Sequence, residues 1–303
     1  MEYKKLPDLA GLAALRAVVE HGGVSSAAAI LSIGQPAVTK RLRALDACYG
    51  ATLMERVAGR LRLTAPGEKV YTFAVQTLER NTLLTEDLQS LAEGTNLLRL
   101  EVTYSIGDHF LPKLLVQFSE RFPHYKINSR LGYSKGIQTR LVTGLADLAI
   151  MENAPDHPDI LVQKWLEDEL WLTVGPHHPL ALGNIKTIEI PQLQQFSYVL
   201  REHQAAVRKT TDEALQNIGI TNLNVKMEVG STDAIVEILL RGNHASFLPR
   251  FIVEKYVASA QLFHIQVSNL NIKRILWIAR NRASLDHHVA ESFIRLLREY
   301  SLE

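Results

Sequence analysis

Apolar residues recur at helical spacing in the first third of the chain and mostly at strand spacing afterwards. Leu9, Leu12, Leu15, Val18 and Val19 predict a helix that ends at Gly22-Gly23. Ala27 to Leu31 predicts a second helix, with Ser25 or Ser26 as its cap, and Ser32-Ile33-Gly34 reads as a tight turn. Gln35-Pro36 opens a third helix to about Tyr49, with Pro36 harmless in the first turn and Gly50 beyond the end. Val38, Leu42 and Leu45 form its buried stripe, which leaves Thr39, Lys40, Arg41 and Arg43 largely on its other faces. Leu53 to Arg56, a turn at Ala58-Gly59, and the alternation Arg60 to Thr64 predict a small hairpin. Thr64-Ala65-Pro66-Gly67 then starts a helix to about Glu93, stopped by Gly94 and roughly 40 Å long. Its apolar positions Val70, Phe73, Ala74, Leu78, Leu83, Leu84, Leu88 and Leu91 exceed what one short helix buries, so pairing with a second copy is expected.

From Leu97 strands alternate with helices, the pattern of a parallel sheet with crossover helices. Strands are expected at 98–103, 126–131, 146–151, 170–174, 197–200, 224–229, 245–248 and 274–279, with helices near 108–121, 135–144, 204–217, 231–241, 250–258 and 285–299. The expected division is 1–66, 67–94 as a linking and dimerising helix, and 95–303. The last segment holds two halves, about 95–168 with 274–303, and about 169–273. The fold class that follows is an N-terminal all-α winged helix-turn-helix plus an α/β domain of two Rossmann-like subdomains, periplasmic-binding-protein-like in layout.

No stretch reaches the roughly 18 apolar residues of a membrane span, and the start carries no apolar targeting segment. One cysteine, Cys48, permits no internal disulfide, so a cytoplasmic location without a membrane partner is expected. Net charge is only +1, but residues 1–66 hold nine Lys/Arg against five Asp/Glu, a local +4 that leaves −3 for the rest. A basic small module on a mildly acidic larger one points the first toward a polyanion. Helix, tight turn and basic helix is the layout that places a second helix in the DNA major groove. There Arg41 and Arg43 suit guanine edges or phosphates, Gln35 suits adenine, and Thr39 a hydroxyl acceptor or thymine methyl. Arg56, Arg60 and Arg62 on the hairpin are placed for flanking phosphates or the minor groove. The plainer reading is a solvated basic face. Glycine-rich phosphate loops and the Gly-x-Ser-x-Gly elbow are missing, so no enzyme is expected. Cys48 falls inside the third helix, where packing is its expected role. His177-His178 and His287-His288 diverge as neighbours do and lack companions at ligand spacing, so neither metal nor cofactor is expected. Trp165, Trp171 and Trp277 read as core residues.

The run Gly22 to Leu31 followed by Gly34-Gln35-Pro36-Ala37-Val38-Thr39-Lys40-Arg41-Leu42-Arg43-Ala44-Leu45 resembles the winged helix-turn-helix of LysR-type transcriptional regulators. Downstream, Ser105-Ile106-Gly107, Phe122-Pro123, Asp147-Leu148-Ala149-Ile150, Gly175-Pro176-His177-His178-Pro179-Leu180, Leu200-Arg201-Glu202, Gly230-Ser231-Thr232 and Phe247-Leu248-Pro249-Arg250 are similar to the family's effector-binding domain, so that the resemblance as a whole covers about residues 9–300. The resemblance implies operator or promoter DNA as partner, contacted also through Ser25, Pro36, Ala37 and Lys40. It further implies a small-molecule effector, a dimer through the linking helix and a homotetramer. Three departures stand out. Gly34 replaces the usual capping serine, Gln204-Ala205-Ala206-Val207 replaces a polar cleft segment, and His244 replaces a glycine.

Thr103 and Ser105 end the first strand before a helix, where hydroxyls and helix N–H groups suit a small organic acid or other small anion. The alternative is that both only cap the helix. Arg201, Glu202, Ser231, Thr232 and Phe247 face the interdomain cleft by resemblance, with Ser134 as a further member; Arg201 and Glu202 read equally as a structural ion pair. Leu166–Leu170 and about Asn269–Ile275 are the expected crossovers between halves. A competing class is a solute-binding or enzymatic α/β domain with a helical oligomerisation appendage.

Overall fold

Asp8 starts the first helix, α1 (Leu9–Glu20), by accepting the Gly11 N–H at 2.7 Å. The computed structural model describes residues 6–57, 60–92, 96–284 and 287–300, in two compact units, Met1–Gly94 and Thr95–Glu303. Helix α2 (Val24–Ile30) begins two residues earlier than a Ser25 cap would allow and three earlier than a Ser26 cap. Gly22, at φ +77°, turns the chain so sharply that Gly23 is already the cap, and both serines lie exposed in the first turn. Ser32, at φ +54°, makes the next turn, and α3 (Gln35–Tyr49) follows, closed by left-handed Gly50. Strands β1 (Met54–Val57) and β2 (Arg60–Leu63) pair antiparallel, Met54 opposite Leu63. The Asp46 carboxylate ties α3 to the hairpin's start by accepting the Leu53 N–H at 2.9 Å. The Ala58-Gly59 turn lies outside the described residues.

Helix α4 (Ala65–Ala92) runs 28 residues. It enters so close to the hairpin that a Cβ on Gly67 would sit 1.9 Å from the Leu53 carbonyl oxygen. Val70 and Ala74 join Leu12, Leu15, Leu45 and Leu53 in the unit's core. Further along, Phe73, Leu84 and Leu88 are 47%, 56% and 59% exposed. The side chain of Leu91 and the stop at Glu93-Gly94 lie outside the described residues.

The second unit runs β3 (Asn96–Thr103), α5 (Tyr104–Arg121), β4 (Tyr125–Gly132), α6 (Ser134–Val142), β5 (Leu148–Met151), β6 (Ile160–Val174), α7 (Pro179–Leu182), β7 (Thr187–Ile188) and β8 (Ser197–Arg201). It continues with α8 (Ala206–Asn217), β9 (Asn224–Val229), α9 (Thr232–Arg241), β10 (Ala245–Pro249), α10 (Arg250–Ala258), β11 (Phe263–Val267), β12 (Ile272–Asn281) and α11 (His288–Glu299). The sheet order is β4-β3-β5-β12-β6-β10-β8-β9, with β11 also on β6. Strands β3, β4 and β5 run parallel, as do β8, β9 and β10, but β6 and β12 are antiparallel to their neighbours. The purely parallel expectation is therefore corrected to a mixed sheet.

Two further corrections concern the crossovers. Strand β6 starts at Ile160, ten residues before the expected strand, because it pairs with β12 from Ile160↔Asn281 to Leu170↔Ile272. Both crossovers are thus one hydrogen-bonded ribbon, and Asn269, at φ +59°, belongs to the turn before it. Strand β7, two residues long, is too short for a periodicity reading, whereas β11 carries a readable alternation of Phe263, Ile265 and Val267 that the reading passed over. One apolar cluster gathers β3, α5, α9, α10 and α11, and another gathers β6, β8, β10 and β11. The tryptophans are half-buried, with Trp165 and Trp171 packed against the first cluster: Trp165 donates to the Leu297 carbonyl at 2.8 Å, and Trp171 stacks on His264 at 4.2 Å. Among the described residues no helix is long and apolar enough to cross a membrane.

Candidate nucleic-acid interface and ligand cleft

Helix α3 turns Gln35, Pro36, Thr39, Lys40 and Arg43 onto one side, where they line a shallow depression. Gln35, Pro36, Lys40 and Arg43 are exposed and Ala37 is half-buried. The Thr39 hydroxyl donates to the Gln35 carbonyl at 3.1 Å, which fixes its rotamer and leaves its oxygen as an acceptor. Lys40 and Arg43 make no ion pair among the described residues, so their charge is available to a polyanion. Arg41 does not share this face. It is half-buried and lies two residues beyond Thr39, about 200° around the helix. On the hairpin Arg62 sits opposite Glu55, and Arg56 opposite Leu61. Arg56 and Arg62 are exposed and point to opposite faces of the ribbon. Ser25 is exposed on α2, and the side chain of Arg60 lies outside the described residues. Cys48 is half-buried on α3.

In the second unit, strands β3, β4, β8 and β9 end where α5, α6, α8 and α9 begin, so helix N-termini gather at one level. Thr103 is the residue before α5, but its hydroxyl caps nothing and is buried without a partner. Ser105 is buried in the first turn, and Ser134, half-buried, begins α6 behind Tyr133.

Arg201, 3% exposed, bonds Glu202 through Nε at 2.9 Å and Nη2 at 2.8 Å, and donates through Nη1 to the Thr232 hydroxyl at 2.8 Å. Glu202 also accepts from the Tyr133 hydroxyl at 2.8 Å, which joins the β4–α6 end to the β8 end. Burial opposes ionisation of Glu202, but the bonds from Arg201 and Tyr133 outweigh it and hold the carboxyl below the usual range. The same bond pushes the Tyr133 phenol up. Asp108, near the start of α5, is raised by burial and by Asp233 on α9, with Arg201 opposing. Ser231 caps α9 by accepting from the Ala234 N–H at 3.3 Å. Phe247 lies mid-strand, buried and parallel to Tyr198 at 6.3 Å, so it belongs to the core rather than to these strand ends.

Sequence reasoning missed a buried ionic cluster on the crossover ribbon. Arg274 Nε bonds Asp168 at 2.8 Å, and Nη1 bonds Glu152 at 2.6 Å. Desolvation raises the Asp168 carboxyl against the pull of Arg274. The ribbon's approximate position was legible, and the run of three acids Glu167-Asp168-Glu169 against the basic pair Lys273-Arg274 was the available signal. Among the described residues no three His, Cys, Asp or Glu groups converge as a metal site.

Residues 9–68 match the model of the bacterial regulatory helix-turn-helix proteins of the lysR family, and residues 92–301 match the LysR substrate binding domain. A curated relative, the HTH-type transcriptional regulator YeiE of Escherichia coli K12, is 27% identical over 280 residues, 92% of each chain. Full-length CbnR, solved with its target DNA, superposes with a TM-score of 0.74 at 20% identity, covering 96% of this chain and 99% of that one. The regulatory domain of Synechocystis PCC6803 CcmR, solved with 2-PG, gives a TM-score of 0.61 at 23% identity, covering 68% of this chain and 97% of that one. The helix-turn-helix match displaces the reading of the N-terminal helices as an oligomerisation appendage. Matched by family models over residues 9–68 and 92–301, the chain belongs to the LysR family of helix-turn-helix transcriptional regulators.

Proposed function

We propose that this protein is a ligand-responsive regulator in which residues 1–66 hold operator DNA, residues 67–94 pair two copies, and residues 95–303 bind a small organic acid. The observation that carries the reading is the exposed α3 face of Gln35, Pro36, Thr39, Lys40 and Arg43, with its cations uncommitted. CbnR, similar over nearly its whole length, was solved with its target DNA, which supports the same role here. For the ligand, the support is the buried, unpartnered Thr103 hydroxyl beside Ser105 at the α5 N-terminus, together with the 2-PG complex of the CcmR domain. For the pairing, it is the exposed Phe73, Leu84 and Leu88 on α4.

A gel shift with the gene's own upstream region tests the first part. The wild-type chain retards it, Lys40→Ala weakens retardation and flattens its salt dependence, and failure of both proteins to prefer that DNA over unrelated DNA rejects the reading. Sedimentation of Leu84→Glu/Leu88→Glu tests the pairing, with dissociation expected. Glutarate, as a minimal small diacid, tests the ligand class by thermal shift, and a rise that survives Thr103→Val with Ser105→Ala rejects the assigned residues.

A further inference from the structure

Strands β3, β4 and β5 lie on one side of the crossover ribbon in the sheet order and β8, β9 and β10 on the other, so the second unit has two halves. Outside the ribbon, a side-chain hydrogen bond crosses between them. Tyr133, just before α6, donates its hydroxyl to Glu202 Oε1 at 2.8 Å, and Glu202 follows β8. The two residues are 69 positions apart.

Each end of this bond is fixed by its own half. The Tyr133 ring meets that of Tyr104, the first residue of α5, edge-on at 5.1 Å. Arg201 holds both Glu202 oxygens, at 2.9 and 2.8 Å, and donates to the Thr232 hydroxyl at the start of α9. A chain of contacts therefore runs from α5 through Tyr104, Tyr133, Glu202, Arg201 and Thr232 to α9. Its central links are charge-assisted, the stronger class of hydrogen bond. Because both partners are already held, closing the bond costs little further side-chain entropy.

A second contact between the halves is apolar. Phe251 of α10 lies against Phe110 at 4.6 Å and His109 at 5.2 Å, both on α5. Ring contacts tolerate a range of offsets and separations, so this one permits the halves to shift. A hydrogen bond at 2.8 Å does not, because it weakens steeply once its geometry opens.

We propose that Tyr133 and Glu202 form a strap that holds the two halves at their present separation when no ligand is bound. The ribbon alone leaves the halves free to swing about it, and a bond at a second place stops the swing. Ligand-free protein then rests in one closed arrangement instead of a spread of openings. Loss of the strap shifts the open-to-closed ratio by roughly tenfold to a hundredfold. The strap acts on the empty cleft, whatever ligand Thr103 and Ser105 hold.

Spin-label distances in the full-length, ligand-free protein test this. Labels go at Lys135→Cys on α6 and Lys209→Cys on α8, both exposed, in a Cys48→Ser background, with labelled subunits diluted in excess unlabelled protein. This parent should give a single narrow distance. Tyr133→Phe, which keeps the ring against Tyr104 but removes the donor, should raise the longer-distance population at least tenfold. Glu202→Gln, which keeps an acceptor oxygen but loses the charge, should raise it by less, and supplies the same comparison should Tyr133→Phe fold poorly. A role in stability alone would lower the unfolding midpoint of Tyr133→Phe without moving the distance. A variant distribution matching the parent's, or a parent distribution already broad, overturns the proposal.

Discussion

The basic face of α3 and the floor of the ligand-binding unit both hold charged side chains, but they use them in opposite ways. On α3, Lys40 and Arg43 project into solvent without an ion pair among the described residues, so their charge is available to a partner. Beneath the cleft, Arg201 and Arg274 are buried, and each has committed most of its guanidinium to Glu202, Thr232, Asp168 or Glu152. Charge on the first surface is a tool for binding, whereas on the second it is part of the architecture. The same residue type, arginine, should therefore give opposite phenotypes when removed from the two places.

Four measurements sharpen or break that contrast. The largest effect is expected from Arg274→Met, which leaves Asp168 and Glu152 buried without their cation. Urea denaturation should show a loss of about 3–5 kcal/mol, and a loss under 1 kcal/mol would mean that solvent already reaches the cluster. Next is acid. Burial, with His244 nearby, lowers the His178 pKa from 6.5 to about 4, and the neutral ring caps α7 by accepting the Leu180 N–H. The unfolded chain therefore takes up a proton before the folded one does. His178 contributes stability that is whole above pH 6.5 and is lost as pH falls toward 4, about 3 kcal/mol over the window. His178→Asn should flatten that part of the stability-pH curve, and an unchanged slope would assign it to other groups.

Third, Thr39→Ala/Lys40→Ala should weaken operator binding by about 1–3 kcal/mol while unfolding free energy stays within about 0.5 kcal/mol. Arg41→Ala, off that face, should cost less binding at matched salt; if it costs more, the groove-facing side of α3 has been misassigned. The smallest effect belongs to Ser231→Ala, where loss of the α9 cap should cost about 1 kcal/mol of stability. No loss of stability would mean that the bond from the Ala234 N–H contributes nothing to holding α9.

What the sequence disclosed follows the same division. The α3 region is legible because its signals are local: Gly34-Gln35-Pro36 starts the helix, Gly50 ends it, and Val38 and Leu45 mark the inner side within fifteen residues. Even so, spacing alone credited Arg41 with the face that Lys40 and Arg43 share. The ionic cluster is illegible because Asp168 and Arg274 come from two strands and Glu152 from the bend after a third, and Arg274 and Glu152 are 122 positions apart. No periodicity links such residues, only the ribbon register does. The early half of β6 was overlooked because Gln163, Lys164 and Glu167 face solvent and break the apolar run that marks a buried strand. Tyr133 was passed over for its neighbour Ser134, although the tyrosine makes the bond to Glu202.

The crossover ribbon constrains how the two halves of the ligand-binding unit move. Two independent tethers would permit sliding, shearing and rotation alike. Strands β6 and β12 are hydrogen-bonded to each other from Ile160↔Asn281 to Leu170↔Ile272, with a register shift between Leu276 and Trp277 as the interruption. A bonded pair resists stretching and sliding, because either breaks its ladder, and yields to bending and twist where the ladder is irregular. That interruption adjoins Trp277, which is half-buried. Any motion of one half against the other is thereby confined to nearly a single coordinate, with its softest point at that interruption.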